Sequence, residues 1–187
     1  SHFFSQKYRD EIKLLKNDIS VFSVGRCVPA KDHETFIKAI CLANVTNPNI
    51  KGVLIGRNIS LKSFNLTQEQ ESIFFVLGVI DNIYEVLSAA DIFCLHSITE
   101  GFPNVLGEAM SIGLPCVSTK AGDAELILGQ PSYIAEVRDY HTIASKLVTL
   151  SHNQERETLG EQNRQRIIEN YSLSKILSMY KNFYNKV

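Results

Sequence analysis

The chain has 187 residues, 44% of them hydrophobic, which is enough for one full core and fits the ~100–200 residues of a single domain. Its 19 basic and 20 acidic residues leave a net charge of −1, with no basic block for nucleic acid and no Lys/Arg-rich amphipathic stretch for a membrane surface. No run approaches the ~18 consecutive apolar residues of a transmembrane helix, and Ser1-His-Phe-Phe-Ser-Gln-Lys7 lacks the apolar run of a signal peptide.

Apolar runs of strand length alternate with segments of helical period. Residues 1–18 are polar and helical in character, and read as a linker or an incoming helix. Ile19-Ser-Val-Phe-Ser-Val24 is a strand ending at Gly25. Residues 32–46 then place Phe36, Ile37, Ile40 and Cys41 at helical spacing. Lys51–Ile55, closed by Gly56, and Ile73–Leu77, closed by Gly78, are the second and third strands. Asn82–Ala89 is a helix with Asp81 as its N-cap, and Asp91–Leu95 is the fourth strand. A helix over Pro103–Ile112 has proline at its opening and Gly113 past its end. Pro115–Thr119 is the fifth strand, residues 123–128 a short helix, and Ser132–Ala135 a weak sixth strand. From Asp139 the chain is helical, in about three pieces. Near-continuous apolar strands alternating with helices predict an α/β fold. Its form is a doubly wound, Rossmann-like parallel sheet of about six strands, with helices on both faces and a helical C-terminus. Residues 19–187 would form that domain, with ligands at the carboxyl ends of the strands.

Cys27, Cys41, Cys94 and Cys116 form no C-x-x-C pair, and the five histidines have no zinc-ligand spacing. Reduced core thiols in a cytoplasmic protein, with no metal, are the reading.

Three constellations carry chemistry. In Gly25-Arg-Cys-Val-Pro-Ala-Lys31 two cations leave the carboxyl end of a core strand, and the dinucleotide fingerprint G-x-G-x-x-G is absent. Turned to a common point, Arg26 and Lys31 would neutralise a diphosphate; the competing reading is two solvated surface cations. In Glu100-Gly-Phe-Pro-Asn-Val-Leu-Gly-Glu108, Gly101 permits a tight turn and Pro103 suits a first helical turn. The amides of Asn104 and Val105 would then be free for an anion. Phe102 lies on the same approach. Glu108 can accept from two adjacent hydroxyls, as on a ribose, and Glu100 can bond a sugar hydroxyl or brace the loop. The pair also fits a glycosidase's two acids, but free amides beside a hydroxyl clamp favour phosphate, so hydrolase ranks below transferase. In Gly113–Glu125 the acids Asp123 and Glu125 could contact a ligand from the neighbouring strand end, but the preferred reading is that they complement a helix N-terminus. His96 and Ser97 end the fourth strand, where both could face the site; a structural histidine is the preferred reading of His96.

Four segments in order resemble the C-terminal domain of glycosyltransferase family four, which has the GT-B fold: Val24–Lys31, Ala89–Leu95, Glu100–Met110 and Gly113–Ser118. The resemblance covers nearly the whole chain from residue 19. It implies a retaining enzyme that moves a hexose-type sugar from a UDP-, GDP- or ADP-linked donor to a glycan or lipid-linked acceptor, with no cofactor and usually no metal. Arg26, Lys31 and Glu100 are the implied catalytic set, the cations holding the donor diphosphate and Glu100 standing near the sugar. Gly25, Val79, Ile80, Gly101, Phe102, Pro103, Asn104, Val105 and Glu108 are the implied substrate contacts, with Val79-Ile80 at the base and Glu108 at the ribose. The pattern departs at Asp32, where glycine is frequent, at His96-Ser97, where Pro-Ser is common, and at Gly122-Asp123, where Gly-Gly is frequent. It also implies an N-terminal acceptor domain outside this chain. The fragment alone is therefore expected to bind donor without efficient transfer. Expected location is the cytoplasm, with peripheral membrane association open to the full-length protein. A non-catalytic nucleotide-sugar-binding or interaction domain and half of a nucleotide-sugar epimerase are the alternatives. A Rossmann dehydrogenase is disfavoured, because Arg57 stands where an acid would end the second strand.

Overall fold

The computed structural model describes residues 2–184. In chain order the elements are α1 (His2–Glu11), β1 (Ile19–Val24), α2 (His33–Thr46), β2 (Ile50–Ile55), α3 (Gln68–Glu71), β3 (Phe74–Leu77), α4 (Ile83–Leu87), β4 (Ile92–Leu95), α5 (Asn104–Ser111), β5 (Cys116–Thr119), α6 (Ala124–Leu128), β6 (Ile134–Ala135), α7 (Tyr140–Thr149), α8 (Asn153–Tyr171) and α9 (Leu173–Tyr184). All six predicted strands form one parallel sheet in the order β3-β2-β1-β4-β5-β6. That is the doubly wound order, which reverses direction between β1 and β4 and opens a crevice at their carboxyl ends.

The two-residue period of the strands divides the core. Val21, Leu54, Ile92 and Cys94 pack on one face under α2 and α7. Phe22, Val53, Phe93 and Leu95 pack on the other under α4, α5 and α6. The central strands are buried on both sides, which is why their sequences run apolar without alternation.

Residues 2–11 form a helix docked on the domain. Arg9 reaches from α1 to the amino ends of the central strands, donating to Asp91 Oδ2 at 2.9 Å and to the carbonyls of Ala89 at 3.2 Å and Asp18 at 2.8 Å. Tyr8 and Ile12 pack into the α4 face of the core.

Three local expectations are corrected. Asn82, not Asp81, occupies the N-cap position of α4; its amide turns to Glu85 Oε1 at 2.8 Å, so no side chain caps the helix. Pro103 is the N-cap of α5 rather than its first residue, because its ψ of 84° is non-helical. Ser132 and Tyr133 lie in a 3-10 turn started by Pro131, leaving only Ile134–Ala135 to pair with β5. Residues 57–72, unassigned from sequence, hold a 3-10 turn over Leu61–Phe64 and the short α3. Thr67 and Gln70 close a reciprocal capping box on α3, at 3.2 Å and 3.0 Å.

Candidate functional site

The loops after β1, β2 and β3 and the first turns of α5 enclose an open cleft of about 510 Å³. Gly25 and Arg26 reach it from β1, Gly56 and Arg57 from β2, Val79 and Ile80 from β3, and Val105 and Glu108 from α5. Two cavities of about 610 Å³ lie along α2 instead and contain none of the predicted site residues. The chemistry, not the size, marks the smaller one. Arg26 and Arg57 are exposed and have no anionic partner among the described residues. Glu108 is half-buried, and its carboxylate is likewise unpaired. Two guanidinium groups and one carboxylate thus face one space with their bonding capacity unused.

The cleft owes its shape to a backbone contact. Gly56 has φ +151°, and a Cβ there would lie 2.1 Å from the Gly25 carbonyl oxygen. Only glycine lets the β1 and β2 loops meet in this way.

The remaining predicted residues form the rim. Lys31 ends a 3-10 turn opened by Pro29, and its stem lies over Gly25. Its Nζ meets Glu100 Oε1 at 2.5 Å, in a pair whose side chains are 25% and 13% exposed. Ser97 Oγ donates to the same oxygen at 2.6 Å. The structure therefore joins Lys31 to Glu100, while Arg26 stands apart in the cleft. Asn104 is exposed, and the Asn104 and Val105 amides have no acceptor among the described residues. Phe102 is half exposed and meets Tyr171, at the end of α8, edge to face with centroids 6.1 Å apart.

Gly101 is not the glycine the turn requires. Its φ is not positive and a Cβ on it would meet nothing within 4 Å. The requirement falls on Gly122, with φ +55°, whose Cβ would stand 2.3 Å from the Glu100 oxygen and 2.4 Å from the Gly101 oxygen. Asp123 completes the brace by donating its amide to the Gly101 carbonyl at 3.0 Å.

Asp32 turns its carboxylate to the first turn of α2. It sits at φ 49°, a left-handed position that glycine would occupy without strain, and its Oδ2 accepts from Thr35 Oγ1 at 2.7 Å. His96 is structural. It is 3% exposed, bonded to Ser23 Oγ, with Nδ1 3.1 Å from the Asp32 carbonyl oxygen, and burial holds its pKa down at about 3. Neutral His96 thereby ties the ends of β1 and β4 to the start of α2. His33 beside it, with ring centroids 5.1 Å apart, is also held below the usual histidine value by burial.

Arg57 is the residue that the sequence reading passed over as a site member. A cation just past a strand-ending glycine is the signal for Arg57, the same signal that marks Arg26. Among the described residues no group of three or more His, Cys, Asp or Glu is placed to hold a metal, and no helix is long and apolar enough to cross a membrane. Burial raises the Cys94 thiol to about 12 and Cys116 well above its ordinary value, so both are inert core residues.

The family described as glycosyl transferases group 1 matches residues 4–170. The chain belongs to that family. Among curated glycosyl transferases, it is 34% identical over 126 residues to N-acetyl-alpha-D-glucosaminyl L-malate synthase of Bacillus anthracis, covering 66% of this chain and 32% of that one. It is 27% identical over 183 residues to the capsular polysaccharide biosynthesis glycosyltransferase CapM of Staphylococcus aureus, covering 92% and 47%. The chain thus spans a third to a half of the curated relatives it matches. Among solved structures it resembles Anabaena HepE in complex with UDP, with a TM-score of 0.85, 21% identity, and coverage of 100% of this chain and 54% of that one. A point mutant of S. aureus TarM, bound to fondaparinux, alpha-GlcNAc-glycerol and UDP, gives a TM-score of 0.79 at 22% identity, covering 91% and 36%. These neighbours share the GT-B, Rossmann-like fold.

Proposed function

We propose that this glycosyl transferase chain is the C-terminal, donor-binding half of a retaining enzyme that takes a hexose-type sugar from a nucleoside-diphosphate sugar. The observation that carries the reading is the cleft at the β1–β4 crevice. It combines unpaired Arg26, Arg57 and Glu108 with the open Asn104 and Val105 amides at its edge. Arg26, Glu108 and the two amides each have a counterpart on the donor. The base would lie against Val79 and Ile80, and the ribose hydroxyls would donate to Glu108. The diphosphate would take Arg26, the α5 amides and Lys31. As the sugar–phosphate bond breaks, negative charge grows on the diphosphate. Preorganised cations and amides meet it there, so no general acid is needed for a leaving group of low basicity. Glu100, at the rim, would accept from a hydroxyl of the donor sugar.

The acceptor and the transfer step belong to a larger protein, of which chains such as CapM are about twice the length. A glycan or lipid-linked acceptor is proposed. It is supported by 26% identity over 185 residues to an Escherichia coli galactosyltransferase that acts on a diphosphoundecaprenol-linked sugar, 94% of this chain and 48% of that one being covered. Such an acceptor would place the full-length enzyme in the cytoplasm at the inner face of the membrane. Isothermal titration of the chain with UDP, GDP and ADP tests the reading. One of the three should bind with a dissociation constant below a millimolar. No binding of any would refute it.

A further inference from the structure

Glu100 is held by one oxygen only. Its Oε1 takes both Lys31 Nζ at 2.5 Å and Ser97 Oγ at 2.6 Å, while Oε2 has no partner among the described residues. The two donors differ in kind. Lys31 is a mobile point charge on a four-carbon stem, and an arriving diphosphate would compete for it. Ser97 is fixed. It is 1% exposed, and its carbonyl accepts from Thr119 Oγ1 at 2.7 Å. The residue before it, His96, is pinned to Ser23 and to the Asp32 carbonyl.

Movement of Lys31 to a phosphate would leave Glu100 a carboxylate only 13% exposed and short of its cation. An under-bonded, largely buried charge is costly and would turn toward whatever donor is nearest. A stationary hydroxyl on Oε1 prevents that turn and leaves Oε2 as the free acceptor. We propose that Ser97 is a positioning residue, which keeps Glu100 Oε2 directed at the donor sugar while Lys31 is engaged with the diphosphate. The proposal rests on the donor-site reading above, and it makes Ser97 matter for the sugar but not for the nucleotide.

The test compares whichever of UDP, GDP and ADP the chain binds with its glucose conjugate, by calorimetry on the chain itself. Ser97→Ala should weaken the glucose conjugate about tenfold, the effect of losing a hydrogen bond to a charged group, and leave the nucleoside diphosphate within about twofold. Ser97→Cys, similar in volume but a weak donor, should fall with alanine. In a Glu100→Ala background, Ser97→Ala should add less than about twofold, because the acceptor of its hydroxyl is gone. Equal loss for both ligands, or an undiminished tenfold loss in the Glu100→Ala background, would overturn the positioning role while leaving the donor site standing. Failure of the unaltered chain to bind any nucleoside diphosphate would overturn both.

Discussion

Replacing Gly122 by alanine tests the construction of the rim without reference to any ligand. At φ +55° an L-residue costs about 1–2 kcal/mol. The added methyl would sit 2.3 Å and 2.4 Å from the Glu100 and Gly101 oxygens, roughly 1 Å short of normal contact. Backbone atoms cannot swing aside as a side-chain tip can. The loop must shift, at the about 1–3 kcal/mol typical of overpacking. Alanine also stiffens the unfolded chain, which returns about 0.4–1 kcal/mol. The net expectation is a loss of about 2–3 kcal/mol. For a chain of this size that is a fall in Tm of roughly 5–10 °C, at about 2–4 °C per kcal/mol. Thermal and urea unfolding by circular dichroism would measure it. Gly101→Ala is the control: with open space and no positive φ, it should stay within about 0.5 kcal/mol of the parent. Equal melting of the Gly122→Ala and Gly101→Ala proteins would refute the bracing role.

Three further outcomes are expected. His96 has its folded pKa at about 3, below its ordinary 6.5, so between these values the unfolded chain binds the extra proton. Its contribution to stability is therefore complete above about pH 6.5 and declines as pH falls toward 3. Urea midpoints at pH 7.5 and 5 should drop more steeply for the parent than for His96→Gln; parallel drops would count against it, and neighbouring His33 adds a smaller slope of the same sign. Arg9→Ala should lower stability by about 2 kcal/mol in urea unfolding, by freeing Asp91 from its cation, with nucleoside-diphosphate affinity unchanged because Arg9 is at the opposite end of the sheet. Glu108→Ala should weaken UDP about tenfold in calorimetry while leaving inorganic pyrophosphate unaffected; equal weakening of both would remove Glu108 from the ribose.

The fold was legible because its signals are local. Each central strand is an apolar run closed by glycine or histidine, and each loop that follows carries turn or cap residues. The site was legible only as separate loops. Arg26 and Glu108 could be read where the chain leaves a strand and enters a helix. The seating of Arg57 in the same cleft as Arg26 depends on β1 lying beside β2 in register, Val24 opposite Ile55. Pairing of Lys31 with Glu100 depends on β1 also lying beside β4, a neighbour far away in sequence. Gly101 shows the same limit from the other side. The turn reads as its own, but the steric demand that shapes it sits on Gly122, past another strand. Position 32 was the opposite case: an aspartate stands where the family pattern frequently has glycine, and its left-handed backbone and bond to Thr35 show a local role at the start of α2.

The contact of Gly56 with the Gly25 carbonyl has a consequence for anyone wishing to reshape the cleft. The spacing between the first two loops is set by peptide against peptide, so no side chain there can be trimmed or enlarged to widen or narrow the mouth. Its lining can change only at the side chains that stand on that fixed frame, Arg57, Val79 and Ile83. A library confined to those three positions would vary the chemistry of the cleft wall while leaving the spacing of its loops as inherited.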